Sequence, residues 1–183
     1  GDTGLHVSDG DYNALFWLSH KNYRFASFPY EAKVFADVLP VNDGQNRGFL
    51  ALNHGTLWWA PLKNPESGWF KRSDTPLTAA ALIQADGAKR AAIGFQDGFV
   101  RIYDIASGKI IRKFYAGGAV IKIMPLSERR LAVATATGLS VVDVAGQRVG
   151  SFPGACSSAA KVGDLICVSQ DQNGEVLALH IDD

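Results

Sequence analysis

Cysteine is scarce in this chain, with only Cys156 and Cys167 among 183 residues. That excludes a densely cross-linked scaffold and a thiolate-rich metal site. Glutamate is almost as rare, at 4 Glu against 14 Asp. Glu suits helix interiors and Asp suits tight turns, so the shortage argues for strands joined by hairpins. Neither sign of charge is in surplus: 18 basic and 18 acidic residues give a formal net charge of zero. A groove that tracks phosphates needs excess cations, so nucleic acid is not an expected partner. No apolar run approaches the roughly 18 residues that span a membrane as a helix. No signal-peptide pattern is visible. Gly1 stands where an initiator Met would, so the chain is expected to be an excised or processed piece of a longer one. The motifs of common enzymes are missing too: no G-x-S-x-G elbow, no P-loop and no H-E-x-x-H.

What the sequence does contain is repetition. The runs Leu15–Ser19, Leu57–Pro61, Val100–Asp104, Leu139–Asp143 and Val176–His180 begin 42, 43, 39 and 37 residues apart. Each of the last four follows a glycine-bearing corner, "NHG" at 53–55, "QDG" at 96–98, "ATG" at 136–138 and "QNG" at 172–174. Glycine accepts the positive φ that short hairpins demand, so these corners predict hairpins. A strand precedes each corner ("GFLALN", "AAIGFQ", "LAVATA", "LICVSQ") and another usually follows the central run ("KIIRKF", "RVGSF"). The alanine-rich stretch "LTAAALIQADGAKRAA" is read as strand–turn–strand rather than helix, because its Asp-Gly falls in phase with its neighbours.

The unit is therefore four short antiparallel strands in about 40 residues, a sheet that cannot bury both faces alone and must stack on copies of itself. This predicts an all-β chain forming a single β-propeller over 1–183, with four to five blades. The expected divisions are a partial blade at 1–28, blades at about 33–72, 78–115 and 119–152, and a partial blade at 157–181. The leading piece shows its second, third and fourth strands, and the last piece lacks a fourth. The expectation is an incomplete arc of a larger propeller, or an edge completed by another chain, possibly an identical copy.

The stretch "DGFVRIYDIASGKIIRKF" at 97–114 resembles the outer half of a WD40 repeat and also the repeat of pyrroloquinoline-quinone (PQQ) propellers. "GGAVIKIMPLSERRLAVATATG" at 117–138 resembles the inner half. The resemblance covers residues 47–181. Tyr103-Asp104 and Val142-Asp143 stand where the WD40 family has Trp-Asp, and "AGG" at 116–118 lacks its histidine, which implies blades held by packing. The quinoprotein motif implies a blade-docking tryptophan where this chain has Arg112. Its calcium site of Glu, Asn and Asp has no clustered counterpart, so no cofactor is expected.

Individual motifs are weaker. Asp-Thr-Gly at 2–4 lacks the second copy an aspartic protease needs and reads as a terminal segment. His6, His20, His54 and His180 are scattered without ligand spacing. Cys156 and Cys167 flank a turn near Val162-Gly163, which places them almost opposite one another. A disulfide and two small buried thiols both fit, the thiols better. Within "LWWAPLKNPESGWFKR" at 57–72, Trp59 aligns with apolar residues and is expected in the core. Trp58 aligns with Arg101 and Ser140 and is expected to face outward or to lie under a lid. With Trp69 and Phe70, beyond a loop containing Pro65 and Glu66, Trp58 forms a candidate interaction surface.

These readings predict a non-enzymatic module acting as an interaction or scaffolding domain, with no metal or cofactor. Its partner would be another protein, another domain of the parent chain or a second copy, with any membrane association through the parent alone. The alternatives are an extracytoplasmic accessory or sensor domain of a membrane protein, such as a transporter permease, and a degenerate quinoprotein-like enzyme. The compartment leans extracytoplasmic.

Overall fold

A computed structural model describes residues 37–42, 44, 46–64, 67–170 and 175–180 in full, and the backbone strands at 3–9, 12–18 and 23–27. The side chains of those three early strands, together with Asp2, His20, Pro65, Glu66 and the corner at 172–174, lie outside the described residues.

Among the described residues all regular structure is β, in eighteen strands. β1 (Thr3–Asp9), β2 (Tyr12–Leu18) and β3 (Tyr23–Ser27) form one antiparallel sheet of three. β4 (Asp37–Asn42), β5 (Arg47–Leu52), β6 (Thr56–Pro61) and β7 (Trp69–Arg72) form a sheet of four in sequence order. So do β8 (Leu77–Ala85), β9 (Ala88–Phe95), β10 (Phe99–Asp104) and β11 (Ile110–Tyr115). A third sheet of four comprises β12 (Val120–Pro125), β13 (Arg130–Thr135), β14 (Gly138–Asp143) and β15 (Arg148–Pro153). The last sheet has three strands, β16 (Cys156–Val162), β17 (Leu165–Gln170) and β18 (Val176–His180). Five consecutive antiparallel meanders of this kind are the blades of a β-propeller.

The turn chemistry shows why the chain folds this way locally. β8 and β9 pair in register around Ala85↔Ala88. The two residues between them, Asp86 and Gly87, both have positive φ, 53° and 73°. Two consecutive positive φ values match the twist of antiparallel strands, and Asp-Gly tolerates them best. That turn overrides the helix propensity of the surrounding alanines. At the next corner Asp97 Oδ1 accepts the Phe99 N–H, an Asx bond that fixes the reversal.

The chain divides into two compact units. The first contains residues 1–74 with Ile105–Gly108, and the second contains Thr75–Asp104 with Lys109–Asp183. In the second unit β12 packs beside both β8 and β16, so the three sheets stack through their first strands. The space between β8–β11 and β12–β15 is filled by Ile83, Ala92, Val100, Ile102 and Phe114 meeting Val120, Ile123, Leu131, Val133 and Val142. The next interface joins Met124, Ala132, Ala134 and Leu139 to Cys156, Ile166 and Val168. Each large aliphatic fully buried there contributes about 1.5–3 kcal/mol through removal from water. On β8 and β9 the buried residues Ala79, Ala81, Ala91 and Ala92 are small.

Polar groups reinforce the sheets. Asp104, in the register position of the WD40 aspartate, pairs with the Arg90 guanidinium. Asp143, its equivalent in the following sheet, accepts the Gln147 N–H at 2.8 Å and closes its own turn.

Candidate interaction surface

β6 carries Trp58 and Trp59 on opposite faces, as alternation requires, and both are buried, at 5% and 4% exposure. The expectation that Trp58 faces outward is therefore corrected. Alternation separates the two indoles onto opposite faces of β6, and neither is exposed. Trp58 packs on Ala51 and Val38 and lies directly opposite Phe70 on β7. The Trp58 and Phe70 rings stack at 6.2 Å between centroids with an interplanar angle of 23°.

Phe70 is the exposed member of the group, with half of its surface (50%) open to solvent. The Arg72 guanidinium sits 5.8 Å from the centre of its ring, and Lys71 lies 5.9 Å from that of Trp69. Such cation–π contacts hold charge beside the apolar surface. β7 thus presents an aromatic backed by a buried tryptophan and edged by one cation, Arg72, while Lys71 lies with Trp69 on the opposite face of the strand.

Trp69 has a different part. Its indole N–H donates to the Ile105 carbonyl at 2.8 Å. Trp69 stands opposite Trp59 on β6, the register position at which Arg112 stands opposite Ile102. Arg112 Nη1 donates to the Val144 carbonyl, also at 2.8 Å, while Nη2 reaches both oxygens of Asp86. Ile105 and Val144 each follow the aspartate that ends the sheet's third strand, so one bond recurs with two different donors. Trp69 and Arg112 thus hold equivalent positions and make the same kind of bond to a carbonyl. The unequal loops before β7 and β11 hide this equivalence in the sequence. The signal that exposes it is the pairing partner, Trp59 or Ile102. In the next sheet the position is Gly150, opposite Val141.

A crevice of about 350 Å³ lies beside Gly150, lined by Val149, Phe152, Ile166, Leu179 and His180. The far face of the last sheet also exposes apolar residues. Val162 and Val176 are 62% and 68% exposed, although their register counterparts in β8–β11, Ile83 and Val100, are buried core.

The cysteines are not opposite one another. Cys167 pairs with Ala160, whereas Cys156 pairs with Gln170, and both thiols are free. Four residues of strand separate Cys156 from the position opposite Cys167, roughly 13 Å, beyond the Cα separation a disulfide tolerates. The turn runs through Gly163-Asp164, flanked by Val162↔Leu165, one residue later than the sequence suggested, and this displaces the register. Burial pushes the Cys156 thiol above its ordinary value, partly offset by a hydrogen bond with the Thr135 backbone. His54 is exposed at a turn and His180 is exposed on β18. Among the described residues no three His, Cys, Asp or Glu side chains converge as a metal site would require.

No protein-family model matches the chain, and no curated protein matches its sequence. Solved structures do match its fold. The Neurospora crassa Pan2 WD40 domain superposes with a TM-score of 0.61 at 13% identity, covering 96% of this chain and 59% of that one. A chain of the Chaetomium thermophilum Polycomb Repressive Complex 2 bound to GSK126 gives 0.66 at 17% identity, covering 81% of this chain and 40% of that one. BBS1N in complex with ARL6DN gives 0.64 at 12% identity, covering 97% and 64%. The chain thus spans less than two thirds of the length of each of these structures. With five antiparallel meanders, three of them stacked through their first strands within the second unit, and these neighbours, the chain has the fold of a WD40-like β-propeller.

Proposed function

We propose that this chain is a non-enzymatic propeller module, an interaction or scaffolding domain that binds another protein through β7. The observation that carries the reading is Phe70. A half-exposed aromatic, stacked on buried Trp58 and flanked by Arg72, loses little freedom on binding and has the character of an interface anchor. Arg72 beside it favours a partner with an apolar socket and an acidic group at its rim. Similar propellers occur in assemblies, as BBS1N does with ARL6DN, which supports a partner-binding role. The test places a photo-crosslinking residue at position 70, identifies the captured protein, and measures its affinity for wild type, Phe70→Ala and Arg72→Glu. Loss of an anchor of this kind weakens binding about tenfold or more. Equal affinity for all three proteins would remove β7 as the site.

The exposed valines of β16 and β18 favour a second use of the fold, self-association. The apolar far face of their sheet and the β18 edge offer what another copy could cover. Sedimentation should then show a concentration-dependent dimer that Val176→Asp with Ala178→Lys converts to monomer. A wild-type monomer at every concentration rules this reading out.

A further inference from the structure

Comparison of equivalent positions across the sheets isolates a site unrelated to β7. The residue before the Trp59/Ile102/Val141 position and its cross-strand partner are Trp58 and Phe70 in β4–β7, and Arg101 and Lys113 in β8–β11. In β12–β15 the same pair is Ser140 and Ser151. Two large side chains are thus replaced by two hydroxymethyl groups, and the volume they vacate is a crevice of about 250 Å³. Gly117, Thr137, Ser140, Arg148, Ser151 and Phe152 line it.

Its wall is fixed by hydrogen bonds. Ser140 Oγ donates to the Ala116 carbonyl at 3.2 Å, and Thr137 Oγ1 donates to the Gly117 carbonyl at 3.1 Å. Gly118 permits that approach, because a Cβ there would fall 2.8 Å from Thr137 Oγ1. The Arg148 guanidinium overhangs Gly117: a Cβ there would lie 3.5 Å from Nη2. Three other arginines of this unit, Arg90, Arg101 and Arg112, each face an aspartate. Among the described residues no carboxylate lines the crevice that Arg148 faces.

We infer that this crevice binds a small oxyanion, with Arg148 and the Ser151 hydroxyl as its donors. A guanidinium fork matches the oxygens of such an ion in two parallel bonds, and a hydroxyl can turn its proton toward a third. The ordered wall of Ser140 and Thr137 keeps the cavity open without competing for the charge, since both hydroxyl protons are committed to backbone carbonyls. The volume accommodates a tetrahedral oxyanion with several waters, each occupying about 30 Å³ in the liquid.

The experiment titrates the intact chain with inorganic sulfate and inorganic phosphate at constant ionic strength, following backbone amide shifts by NMR. Saturable shifts are expected at Gly117, Thr137 and Ser151, and none with matched chloride. Arg148→Gln should weaken binding about tenfold or more, the scale of losing a charge-assisted hydrogen bond. Ser151→Phe keeps the charge but fills the crevice, and should abolish binding. The fold tolerates bulk there, since Phe70 and Lys113 hold the equivalent positions. Equal shifts with chloride, or sulfate and phosphate binding that survives either substitution, would overturn the assignment. An unchanged melting temperature in both variants confirms that the lost binding is local.

Discussion

Trp58→Ala is expected to destabilise the protein by about 3–5 kcal/mol, the range for truncating a buried Trp or Phe. Trp58 is 5% exposed, packs on Ala51 and Val38, and supports the Phe70 ring from beneath. Truncation removes the transfer free energy of the indole and leaves a hole that two strands of fixed spacing cannot close. Phe70→Ala should be milder, about 1 kcal/mol, because half the ring is already in water and chiefly its contact with Trp58 is lost. Urea denaturation of the two variants separates the roles: Trp58 maintains the fold and Phe70 supplies the surface. A Trp58→Ala loss below about 1 kcal/mol would contradict its place in the core. The same comparison bears on β7 as a binding strand, since an anchor must be dispensable for folding.

Ile102→Ala should have an effect of similar size, about 2–5 kcal/mol. Ile102 is wholly buried (0% exposed) between β8–β11 and β12–β15, among Val133, Leu131 and Val142. The four-stranded sheets on either side are held by their own ladders and cannot collapse into the cavity. The register equivalent in the last sheet, Ala178, lies on the exposed far face. Ala178→Ser should therefore stay within about 0.5 kcal/mol. One position in the repeat thus has opposite sensitivity in two sheets, and chemical denaturation of the pair measures it. A similar cost at both positions would show that the far face of β16–β18 is covered in solution.

Much of this architecture was legible because propeller physics writes itself into sequence locally. A hairpin needs residues that accept positive φ, and Asp86-Gly87 and Gly98 mark their turns without reference to anything distant. Strand periodicity and the near-constant repeat spacing followed from the same local rules. The candidate site was less legible. Trp58 looked outward because its sequence neighbours in the repeat are Arg101 and Ser140, yet in its own sheet the partner across the strand is Phe70. Trp69 looked like surface because an enlarged loop obscured its equivalence to Arg112. The cysteines looked adjacent because a turn misplaced by one residue shifts every pair on the strands it joins.

By itself, then, the sequence determined the all-β class, the repeating four-strand meander, the turns that set it and the absence of recognisable catalytic motifs. Each depends on interactions within a few residues or on composition. Only the tertiary structure decided that both indoles of Trp58-Trp59 are buried and that Phe70 is the exposed aromatic. It alone showed that Trp69 and Arg112 make one recurring bond to Ile105 and Val144. It alone revealed that Ser140 and Ser151 leave a crevice beneath Arg148. The physical reason is common to all of them: a strand's own alternation specifies which side a residue faces, but what covers that side comes from cross-strand partners and neighbouring sheets.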